Sequence, residues 1–123
     1  MMTGTVRGMQ LVLPVIFVLS DGSEAIREVV VDTGFTGGLS LPPEMVQELR
    51  LNFVRDHPVT LADGERNDYP LYAAAIRWHD EQKNVVTFAI GDRPLLGTAL
   101  LEGSSLHAKF KEGEPFVVEQ NPS

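Results

Sequence analysis

Apolar and polar positions along this chain alternate or run together over short stretches, a pattern that favours strands almost throughout. Val6 to Val18 is apolar and rich in β-branched residues, which predicts one long first strand. Pro14 lies inside it and cannot donate to a ladder, so an edge, bend or bulge is expected there. Asp21-Gly22 is a strong turn pair, and Ile26 to Val31 predicts the returning strand of a hairpin. After a small-residue loop, Pro42-Pro43-Glu44 opens a short helix whose apolar stripe is Met45, Val46 and Leu49 and which ends near Leu51.

Further along, Val59 to Ala62 and Tyr69 to Ala75 flank Asp63-Gly64, and the polar residues Glu65 to Asp68 suit an exposed hairpin. Ile76 to His79 and Val85 to Ile90 predict another strand pair around the polar loop Asp80 to Asn84. Thr98 to Leu101 suits one more turn of helix. The signals amount to about seven strands and two short helices, an all-β class with short helices closing into a small barrel. From Lys109 onward charge and Pro/Gly content rise, which divides the chain into a domain at 1–108 and a C-terminal tail at 109–123, where Phe116-Val117-Val118 suits one edge strand.

Composition narrows the classes of function. The 123 residues make a single domain by size, with 43% hydrophobic and 22% charged residues and no repeat or low-complexity tract. A net charge of −7 argues against a nucleic-acid surface or an anionic membrane as partner. The absence of cysteine removes disulfides, thiolate metal sites and cysteine nucleophiles, and fits a cytoplasmic protein. The longest apolar run, Leu11 to Leu19, falls far short of the about 20 residues of a spanning helix. It contains Pro14 and is read as a strand rather than a signal peptide. His57, His79 and His107 have no metal-ligand or Ser-His-Asp spacing, so no metal or cofactor is expected. Trp78, Tyr69 and Tyr72 are read as core or cross-strand packing.

Chemistry concentrates at Val29-Val30-Val31-Asp32-Thr33-Gly34. A carboxylate there leaves a buried strand and enters a loop in which Gly34, Gly37 and Gly38 allow close backbone approach. Aspartate at a strand end is commonly only a turn former, so the tripeptide alone says little. The wider pattern says more: Asp32-Thr33-Gly34-Phe35-Thr36, then Leu39 and Leu41, and much later Leu95-Leu96-Gly97 followed by Leu100-Leu101. Over residues 4 to 106 this resembles the retropepsin-like aspartic peptidases, bacterial single-domain type.

That resemblance implies a closed acid-protease barrel with one lobe per chain and a homodimer, since only one Asp-Thr-Gly occurs. It implies an endopeptidase for peptide or protein substrates in which Asp32 from each subunit activates water. Thr33 would bond across the two-fold axis, Gly34 would leave room for substrate backbone, and Leu95, Leu96 and Gly97 would cross behind the loop as a ψ-shaped element. Ala62, Asp63 and Gly64 correspond to the flap tip, although they lack the glycines of many retroviral flaps and equally suit an ordinary surface hairpin. Phe35 stands where retroviral enzymes commonly have alanine. Thr36 and Thr98 replace an aspartate and arginine pair found in many of them, a joint loss that is nearly neutral where loss of one partner is costly. The alternative is a non-catalytic module that keeps the fold and binds peptide or protein.

Overall fold

The β-branched runs pair as strands in a computed structural model of the chain, which describes residues 1–122. The ten strands are β1 (Met2–Arg7), β2 (Gln10–Val18), β3 (Glu24–Val31), β4 (Leu39–Leu41), β5 (Asn52–Thr60), β6 (Arg66–Trp78), β7 (Glu81–Ala89), β8 (Leu95–Leu96), β9 (Ser104–Ala108) and β10 (Pro115–Gln120). Two short helices, α1 (Pro43–Glu48) and α2 (Thr98–Leu101), follow β4 and β8. No helix among the described residues is long and apolar enough to cross a membrane.

The strands form one sheet in the order β5-β6-β7-β4-β8-β3-β2-β1-β10-β9. A further ladder, Phe17↔Ile76 and Val18↔Ala75, joins β2 to β6. Ladders therefore run from β2 through β3, β8, β4, β7 and β6 and return to β2. Leu13, Val15, Phe17, Val29, Leu39 and Ile76 are buried together inside that circuit. Pro14 faces solvent in a gap: opposite β3, the β1 pairing stops at Val12 and the β6 pairing begins at Phe17. The missing donor thus costs no ladder bond on that side.

Several expected elements differ in detail. The single strand over Val6 to Val18 is two strands, because Gly8 and Met9 take left-handed dihedrals (φ 61° and 57°) and reverse the chain. Glu112 holds this turn: its carboxylate accepts the Gly8 N–H at 2.9 and 3.0 Å. The polar stretch Asp80 to Asn84 is not a loop. His79 and Asp80 (φ 50° and 67°) make the whole reversal, and Glu81 to Asn84 pair with Trp78 to Ala75. Phe116-Val117-Val118 is not at an edge, since β10 lies between β1 and β9 with Phe116 and Val118 in the core. The edges are β5 and β9.

Other expectations hold. Asp21-Gly22 turns β2 into β3, and Asp21 Oδ1 accepts the Ser23 hydroxyl (2.6 Å) and N–H (2.9 Å). These bonds hold the Asp21 carboxyl below its usual range. Helix α1 begins with Pro43 in its first turn, as proline's fixed φ favours, and buries Val46. Trp78 is buried, and Tyr72 meets Phe53 edge-on with ring centres 5.8 Å apart.

Candidate functional site

Three apolar residues carry β3 into the core and end at Val31, so the next residue, Asp32, emerges half-buried at the strand's C-terminal end. The loop that follows is fastened by β8. Val30↔Leu95 and Val31↔Leu96 pair in parallel on one side of β8, while Leu39↔Leu96 and Ser40↔Leu95 pair antiparallel on the other. The two-residue strand β8 therefore separates the two strands that bracket the Asp32 loop. The Asp32 N–H donates to the Leu96 carbonyl at 2.9 Å, which sets the aspartate's backbone.

Beyond β8 the fastening continues. Gly97 N–H donates to the Gly38 carbonyl (2.8 Å), Thr98 N–H to that of Phe35 (2.8 Å) and Ala99 N–H to that of Gly37 (3.2 Å). Glycine at 97 is required by space: a Cβ there would meet the Gly37 carbonyl and stand 2.5 Å from that of Phe35. Leu96 is wholly buried, so the late motif both fills the core and holds the loop.

The loop also binds itself. Asp32 Oδ1 accepts the Gly34 N–H at 2.9 Å, and the Asp32 carbonyl accepts the Phe35 N–H at 3.1 Å. One carboxylate oxygen is thereby oriented by the loop. Thr33, Gly34 and Thr36 are exposed. Phe35 turns inward, edge-on to Phe88 with ring centres 6.5 Å apart, and Phe88 lies 6.0 Å from the His57 ring on β5. Phe35 thus connects the aspartate loop to the β5–β6 hairpin.

A groove of about 390 Å³ opens beside Asp32 and Thr33. Val30, Leu95, Arg93 and Phe110 contribute to its lining. A half-buried carboxylate at the wall of such a groove is suited to proton transfer with a bound molecule. The candidate flap residues Ala62, Asp63 and Gly64 are not part of this lining. They form the exposed tip of the β5–β6 hairpin, where Asp63 Oδ1 accepts the Glu65 N–H at 2.9 Å and Gly64 adopts φ 84°. The structure brings Asp32, Thr33 and Leu95 together in the groove and leaves the hairpin tip outside it.

Sequence reading passed over Arg93 and Phe110. Arg93 stands in a turn-rich segment immediately before Pro94 and Leu95, and Phe110 is an isolated aromatic between Lys109 and Lys111 in a charged stretch. Those local contrasts were the available signals. Sequence spacing also gave no hint that His79 Nε2 and Ser104 Oγ lie 2.8 Å apart. His79 Nδ1 is buried without a hydrogen-bond partner, so no carboxylate orients the ring as a nucleophile's base requires. Burial, then the N-terminal ammonium, lowers the His79 pKa. No protein-family model, curated protein or solved structure matches this chain.

Proposed function

We propose that the chain is one half of a retropepsin-like aspartic endopeptidase, a homodimer in which each subunit contributes Asp32. The observation that carries this reading is the fastening of the Asp32-Thr33-Gly34 loop by Leu95-Leu96-Gly97, which leaves the carboxylate beside an open groove. The return ladder from β6 to β2 supports reading the central strands as a closed barrel with one lobe per chain. Exposure of Thr33 supports its role as a contact across a two-fold axis.

Two carboxyl groups about 3 Å apart share one proton, because both cannot readily ionise. The ionised member takes a proton from a water molecule as the water oxygen attacks the scissile carbonyl carbon. The protonated member donates its proton to the carbonyl oxygen, and the product is a tetrahedral gem-diol with no covalent enzyme intermediate. Proton return to the amide nitrogen then releases amine and carboxylic acid. The pair titrates as a unit, so activity is expected to follow a bell-shaped pH profile. The β5–β6 hairpin, linked to the loop through His57, Phe88 and Phe35, is the element suited to cover a bound peptide.

The test is cleavage of a diverse unfolded-peptide mixture from about pH 3 to 8 by wild type and Asp32→Asn at several protein concentrations. Cutting by wild type alone, with specific activity rising with concentration, is the expected result. Silence of a folded wild type across the range removes the peptidase reading and leaves a peptide-binding module.

A further inference from the structure

The groove beside Asp32 has an uneven chemistry. Val30, Leu95 and Leu106 line it with hydrocarbon, whereas Arg93, from the segment between β7 and β8, is the one cation among its lining residues. Among the described residues Arg93, like Arg50, Arg55 and Arg66, has no carboxylate partner within 4.0 Å, and of these four it alone lines the groove. Phe110, 65% exposed, borders the same groove and is flanked in sequence by Lys109 and Lys111. A chain of net charge −7 therefore puts a guanidinium without a carboxylate partner at the site of its candidate carboxylate chemistry.

We propose that this groove selects a glutamate side chain in a bound peptide, next to the bond presented to Asp32. The proposal rests on the peptidase reading only for that bond. An apolar stem lies against Val30 and Leu95, and a terminal carboxylate meets the planar guanidinium of Arg93 through paired N–H···O bonds. Glutamate has one more methylene than aspartate and covers more of the hydrocarbon lining. Arg93 is then a specificity residue that touches substrate without taking part in proton transfer.

The probe is an N-acetylated, C-amidated random octapeptide library, whose blocked ends leave side chains as the only carboxylates. Retention on immobilised Asp32→Asn protein, read by mass spectrometry, is expected to favour glutamate over glutamine about fivefold at one peptide position. Adding Arg93→Leu is expected to bring the ratio to parity, and Arg93→Glu to turn the preference toward lysine or arginine. No retained peptide, parity with Arg93 intact, or a preference that survives Arg93→Leu each overturns the proposal. Cleavage of the same library by wild type separates the two readings. Retention with glutamate preference but no cutting sinks the peptidase and keeps the subsite, whereas cutting without glutamate bias does the reverse.

Discussion

A Cβ at position 97 would stand 2.5 Å from the Phe35 carbonyl oxygen and 2.7 Å from the Phe35 ring, with backbone rather than a flexible side-chain end in the way. Gly97→Ala is therefore expected to destabilise the protein by about 2–3 kcal/mol, as overpacking does, measured by urea unfolding. Because the same contact seats the Asp32 loop, any residual activity should fall by more than the unfolded fraction explains. His79 gives a pH dependence of definite sign. Its folded pKa lies below the ordinary 6.5, chiefly because burial disfavours the charged ring. The unfolded chain therefore takes up the proton first as pH falls below about 6.5, and stability declines until the folded pKa is passed. Urea midpoints at pH 7.5 and 5 should differ in that direction, and His79→Gln should shrink the difference. An unchanged difference would remove His79 as its source.

Strands and turns show how local chemistry and long-range pairing divide the work. Asp21-Gly22 and Pro42-Pro43 were legible because each states its own backbone requirement within a few residues, whereas Asp32-Thr33-Gly34 and Leu95-Leu96-Gly97 drew their meaning from occurring together in that order. Phe116-Val117-Val118 was legible as a strand but not as an interior one, since only pairing with β1 and β9 decides that. Glu81 to Asn84 looked like a loop because polar side chains hide a ladder made by backbone groups alone. Arg93 and Phe110 gained meaning only when the fold set distant segments around one groove. Phe116→Ala is expected to cost about 3–5 kcal/mol in a denaturation experiment, the range for truncating a buried phenylalanine. A value near zero would mean that β10 contributes little to the core. The β5–β6 hairpin is exposed along much of β5 and at its tip, so amides at Leu61–Glu65 should exchange with deuterium far faster than those at Leu71–Trp78. Uniform protection along the hairpin would contradict a movable cover.

At the scale of the molecule, charge opposes the proposed assembly. Two copies at −7 each repel, and added salt screens that repulsion. Dimerisation followed by analytical ultracentrifugation is expected to strengthen between about 50 and 500 mM salt, with specific activity at low protein concentration rising in parallel. Weakening with salt would point instead to an interface held by opposite charges.

The short strand β8 has a kinetic meaning as well as a geometric one. Asp32 is made well before the backbone that seats it, which lies more than sixty residues further along the chain at Leu95 to Ala99. Closing so long a loop, partly through parallel pairing, is a slow step that local turns do not accelerate. The aspartate loop is thus expected to assemble late, so that a nascent or half-folded chain would carry the carboxylate without the site.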